Sequence, residues 1–187
     1  TVPISQLIIR NHIGKSLGWD QAGYWQGVWY ISSMYLMVVT TALSIYYLPR
    51  LSEIKDDVEL RRELVTGYRL ILPIVIVMSL MIYFLKDFII YLLFTPEFKP
   101  MRELFAWQLI GNVIKIASWL LAYIMLAKAM VRLYVITEIF SSALFVGLSI
   151  YFSNIYGVIG VTYAFAINYT IYLCVMIWIM RSKFILS

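Results

Sequence analysis

Long apolar runs, each closed by charges or a proline, dominate this chain. About 20 apolar residues in a helix cross a hydrocarbon core of ~30 Å. Residues 24–48, 70–94, 104–127, 133–152 and 155–180 form runs of that order. Within 70–94 the apolar pattern continues past Lys86 and Asp87 into Phe88–Phe94, which reads as a span end or an interfacial helix. Residues 1–9 are apolar but too short to cross, and they open without a methionine, so they read as the remaining piece of a span. The pattern therefore predicts an all-α, polytopic membrane helix bundle of five full spans plus a partial first one.

Composition agrees, with 63% hydrophobic and only 13% charged residues, where soluble domains carry roughly 25% charged. No stretch has the basic start, short apolar core and small-residue cleavage site of a signal peptide. The strongly charged segment 49–69, "PRLSEIKDDVELRRELVTGYR", has helical spacing. Leu51, Ile54, Val58, Leu64 and Val65 would form an apolar face, with Arg61, Arg62 and Glu63 outward. That pattern fits an amphipathic linker lying at the membrane interface.

Basic residues set the expected orientation, because short cytoplasmic loops are enriched in Lys and Arg. One side holds Arg50, Lys55, Arg61, Arg62, Arg69, Lys128, Arg132, Arg181 and Lys183, and the other Arg10, Lys15, Lys86, Lys99 and Arg102. The richer side is expected in the cytoplasm, with the C-terminus inside. The net charge of +5 fits this bias and anionic lipid headgroups, and no nucleic-acid module is visible. Tyr24, Trp25, Trp29, Tyr30, Tyr46, Tyr47, Trp107 and Trp178 lie near span ends, as an interfacial aromatic belt would; sugar stacking is the other use of such rings. The lone Cys174 reads as a small packing residue. With a single histidine, His12, in an expected outer loop, a histidine metal site or catalytic triad is not supported. No cofactor fingerprint appears.

The polar residues inside the spans carry the candidate chemistry. Lys115 lies near the middle of its run, roughly 16 Å from either end at 1.5 Å per residue. A lysine cannot snorkel that far, so it needs a partner or water. Gln108, Gly111, Asn112, Lys115, Ser118 and Ala122 recur at helical spacing as one polar, small-residue stripe. The next span carries Glu138 with Ser141, Ser142 and Ser149. Two readings stay open at this point. A buried Lys115–Glu138 pair would fix helix register; alternatively, an aqueous cavity would use Lys115 to attract an anionic substrate, with Glu138 as counter-ion or coupling group. Gln26, Ser33, Thr40 and Ser44 share another face, and Gly160, Ala164 and Asn168 form a seam that lets helices approach closely.

The order of motifs, "WDQAGYWQGVWYIS", "YYLPRLS", "LLFTPEFKPMRELFAWQLIGNVIK" and "YIMLAKAMVRLYVITE", resembles the C-terminal half of Wzx-type flippases of the multidrug/oligosaccharidyl-lipid/polysaccharide (MOP) exporter superfamily. Within that group it is most similar to the branch that handles lipid III of enterobacterial common antigen. The stretch from Phe94 to Lys115 is the most specific. The resemblance implies one six-helix lobe of a two-lobe transporter, spans seven to twelve, with the N-terminal lobe as its missing partner. It also implies flipping of a polyprenyl-pyrophosphate-linked oligosaccharide across the bacterial inner membrane by alternating access. Under it Lys115, Asn112, Gln108 and Ser118 become candidates for the pyrophosphate, and Arg10, Lys128 and Arg132 for headgroup contacts at the cavity mouths. A polysaccharide polymerase and a chain-length regulator would be further partners. An integral membrane enzyme of polyprenyl-linked glycan metabolism and a non-transporting scaffold are the alternatives.

Overall fold

The computed structural model describes residues 2–181; Thr1 of the expected stub and Lys183 of the charge count lie outside the described residues. The elements are α1 (Val2–Ser16), α2 (Trp19–Ala42), α3 (Leu48–Glu53), α4 (Asp57–Leu93), α5 (Phe105–Ala127), α6 (Val131–Tyr156) and α7 (Ile159–Met180), and no strand occurs among the described residues. A π-helical turn, Leu43–Tyr47, joins α2 to α3, and a 3-10 segment, Pro96–Leu104, leads into α5. Five helical stretches are long and apolar enough to cross a membrane: Trp19–Glu53, Asp57–Leu93, Pro96–Ala127, Val131–Tyr156 and Ile159–Met180. The chain is a polytopic membrane helix bundle. Backbone polar groups satisfied within each helix are what the apolar phase demands.

Several boundaries differ from the hydropathy pattern for local reasons. Helix α1 continues past Ile9 to Ser16, so Arg10, His12 and Lys15 sit on a helix and not in a loop. The reversal into α2 uses Gly18 at φ 105°, a left-handed value that glycine adopts without strain. The linker 49–69 is not one separate helix. It breaks at Ile54–Asp56, and its second half is the start of the 37-residue α4, about 55 Å long. Asp56 explains the start: its side chain accepts the Glu59 backbone N–H at 3.0 Å, and Asp57 and Glu59 complement the positive helix end. Of the expected apolar face, Leu51 and Ile54 are buried, whereas Val58 and Val65 are exposed. Pro49 has no N–H to return to the carbonyl four residues back, and the π turn lies over that position.

Helix α5 is the centre of the bundle: 61% of its most apolar window is buried, against 11% for α4. It packs most extensively on α7, then on α4, and only slightly on α6, its neighbour in sequence. Small residues make this possible. At Gly111 a Cβ would run into the Phe165 ring and meet the Ala166 Cα at 3.3 Å, and at Gly160 one would collide with the Phe152 carbonyl. Gly160, Ala164 and Asn168 are all buried, as a close-packing seam requires. The outer surface is rich in exposed Leu, Ile, Met and Phe, suited to lipid. Cys174 is exposed on it and not packed inside.

Candidate functional site

The polar stripe of α5 turns into the protein. Gln108 and Asn112 are buried, and neither amide makes a hydrogen bond of good geometry, although Asn112 lies beside the Tyr35 hydroxyl. Tyr35 in turn meets Ser79 of α4 at 3.2 Å. Ser118 is buried and spends its hydroxyl on the Lys115 carbonyl at 2.7 Å. Three of the four stripe residues expected at the pyrophosphate therefore sit in helix contacts here.

Lys115 is held by rings. Its ammonium lies 4.7 Å from the Trp119 ring centre, 5.4 Å from that of Tyr169 on α7 and 5.9 Å from that of Trp29 on α2. Aromatic faces carry partial negative charge, so three of them offset part of what the ammonium loses on leaving water. Glu138 does not contact it: among the described residues the ion pairs are Arg50–Glu59, Arg50–Glu63 and Arg102–Asp87. The Glu138 carboxylate instead accepts the Tyr172 hydroxyl proton at 2.7 Å. The two charges remain within electrostatic reach of each other, but a direct pair, one of the two readings the sequence left open, is absent from this arrangement. The packing of α5 against α7 sets this arrangement, since it brings Tyr169 to Lys115 and Tyr172 to Glu138.

Glu138 belongs to a polar pocket of about 20 Å³ lined by Ser5, Gln6, Trp29, Ser141, Ser142, Phe145, Asn168 and Tyr169. That is room for about one water. Asn168 fixes its geometry by donating to the Ser141 hydroxyl at 3.0 Å. Trp29 and Gln6 also line a second, larger space of about 250 Å³ between α1 and α2, completed by Pro3, Leu7, Arg10, Trp25, Gln26 and Tyr30. Trp29 is thus a shared wall: Lys115 on one side, the Glu138 pocket and the Arg10 groove on the others.

The remaining candidates separate. Arg10 is exposed and lies in that groove. Lys128 donates to the Ile54 carbonyl and so pins the break before α4; it is not a free headgroup contact here. Arg132 is exposed at the start of α6. Sequence reasoning missed the role of Trp25 and Trp29, which had been assigned to the aromatic belt. Trp25 is buried and tilted against Trp29, with 5.7 Å between ring centres. Their i, i+4 spacing beside Gln26 was the available signal. Tyr169 and Tyr172 were missed as well, and Tyr172, four residues after Asn168 and three after Tyr169, was the corresponding cue.

Comparison with known proteins gives one clear relationship. The chain is 34% identical over 172 residues to the lipid III flippase of Escherichia coli (strain K12), and equally to that of Shigella flexneri. The match covers 92% of this chain and 41% of each relative, so the chain spans about two-fifths of the length of these curated proteins. No protein-family profile and no solved structure matches. The resemblance to Wzx-type flippases carried by the motifs is a homology running along nearly the whole chain.

Proposed function

We propose that this chain forms the second lobe of a flippase. Its substrate is a polyprenyl-pyrophosphate-linked oligosaccharide, lipid III of enterobacterial common antigen. It moves this lipid from the cytoplasmic to the periplasmic leaflet of the bacterial inner membrane by alternating access. The observation that carries the reading is the match to two lipid III flippases over 92% of the chain. The surrounding lipids and an N-terminal six-span lobe would complete the transport path, with a polysaccharide polymerase and a chain-length regulator downstream. The richer set of basic residues supports an orientation with the 49–69 segment and Arg181 in the cytoplasm and Lys15 and Lys99 outside.

The lysine supplies the chemistry transport needs. A diphosphate leaving the headgroup region must meet a cation inside the membrane, and a lysine is a mobile point charge with three donors. Lys115 is the basic residue deepest in these spans, and its ring cage holds it without an acidic partner that would neutralise it. Rotation of Trp29, the ring between them, would release the ammonium toward the Arg10 groove. Glu138, bonded to Tyr172, then serves as the nearby counter-charge when no substrate is bound.

The test is reconstitution of the full-length protein in vesicles with a polyprenyl-diphosphate saccharide confined to one leaflet. Transfer is read by accessibility of the sugar to a periodate-type oxidant outside. Transfer of chemically unchanged lipid supports the proposal. A changed product would identify a membrane enzyme, and no transfer by folded protein would identify a scaffold.

A further inference from the structure

We propose that the groove between α1 and α2 binds the glycosyl phosphate end of the substrate, the sugar ring against Trp29 and Tyr30 and the phosphate at Arg10. This deepens the flippase reading and rests on it. Its first support is an uncompensated cation. Arg10 takes part in none of the ion pairs among the described residues, and no carboxylate lines the groove. It is an exposed residue in the wall of the groove, so its guanidinium donors are open to an anion there. A guanidinium fork matches phosphate oxygens in pairs.

The second support is an array of polar groups with capacity to spare. Trp25 is only 2% exposed, and its indole N–H, on a residue lining the groove, has no acceptor. Buried donors left unmade are rare and point to a missing partner. Gln26 donates to the Tyr30 hydroxyl at 2.9 Å, which orients both while leaving the Tyr30 proton and the Gln26 carbonyl for a ligand. Gln6 adds a second amide from α1.

Aromatic faces flanked by amides, a free indole N–H and one cation suit a ring with hydroxyls at its edge and an anion at one end. A bare lipid chain would leave the amides and the indole N–H unpaired. A bare phosphate would use Arg10 and leave the rings idle. The groove also adjoins the cation proposed for transport, since Trp29 separates it from Lys115. A glycosyl phosphate seated there has Lys115 one indole ring away.

The experiment uses the full-length protein in lipid nanodiscs, with glucose 1-phosphate, inorganic phosphate and glucose as probes and tryptophan fluorescence as the readout. Glucose 1-phosphate should give a saturable change and bind about tenfold tighter than either component, because each contributes a separate set of contacts. Arg10→Gln should weaken it about tenfold, the scale of one charge-assisted contact, and Arg10→Lys should recover part of that loss. Gln26→Leu should weaken glucose 1-phosphate but not phosphate. Lys115→Met, which stops transport on the reading above, should weaken groove binding less than Arg10→Gln does, since Lys115 meets the groove only through the shared Trp29 ring. The proposal is overturned if phosphate alone binds as tightly as glucose 1-phosphate. Unchanged affinity in both Arg10→Gln and Gln26→Leu, or loss of binding in Lys115→Met, would overturn it equally. Loss of transport in Lys115→Met with groove binding intact would uphold both readings. Normal transport in that variant with groove binding intact would remove the Lys115 role alone.

Discussion

Replacing Lys115 by methionine in the full-length protein keeps most of the side-chain volume and removes the charge from the centre of α5. The energetic consequence follows from what surrounds the ammonium. Three rings lie 4.7, 5.4 and 5.9 Å from it, and cation–π contacts contribute from about 0.5 kcal/mol when exposed to about 2 kcal/mol when desolvated. Against that loss, methionine no longer carries the desolvation cost of a charge and makes favourable sulfur–aromatic contacts of about 0.3–1.5 kcal/mol. Glu138 is not orphaned, because Tyr172 still donates to it at 2.7 Å. The loss of about 3–5 kcal/mol that follows when one partner of a buried ion pair is removed therefore does not apply. The net stability change should stay within about 2 kcal/mol, while translocation is abolished. Thermal unfolding in detergent and leaflet-transfer assays on the same preparation separate the two effects. Lys115→Arg should keep part of the activity, since a diphosphate needs the charge more than the shape of the donor. Wild-type transport by Lys115→Met, or by Lys115→Met combined with Glu138→Gln, would refute the reasoning and reduce Lys115 to a packing element.

Two further outcomes test the fold and the orientation. Gly160→Ala should destabilise the bundle by about 1–3 kcal/mol, because the added methyl meets the Phe152 backbone, which cannot rotate away. Gly147→Ala, with open space around its Cβ, should be neutral or stabilising by up to about 1 kcal/mol, and equal unfolding temperatures for the two variants would count against the α6–α7 packing. For orientation, single cysteines replacing Lys99 and Lys55 are treated in intact cells with an impermeant thiol reagent. Lys99→Cys should label and Lys55→Cys should not, in a background with the exposed Cys174 replaced by alanine; the reverse pattern would invert the topology.

Sequence alone determined the class of this protein, the number of spans, and which residues share a helix face. Apolar run length and the 3.6-residue period depend only on the chain itself, so the α5 stripe and the Gly160–Ala164–Asn168 seam were legible before any packing was known. The Asp56 cap is equally local, its carboxylate accepting the Glu59 N–H, but the charged segment reads as one linker and the break before α4 appears only in the structure. Tertiary structure decided which face meets which helix. Order along the chain made α6 the natural partner of α5 and Glu138 the natural partner of Lys115. Instead α7 packs along α5, through the space left at Gly111, and brings Tyr169 to the lysine and Tyr172 to the glutamate. Trp25 and Trp29 show the same division. Their place near a span end suggested an interfacial belt, but the rotation of α2 against α1 and α5 puts Trp25 in the core and Trp29 between Lys115 and the Arg10 groove. Helical period fixes angles within one helix; the rotation and axial offset between helices come only from the packing of all their side chains together.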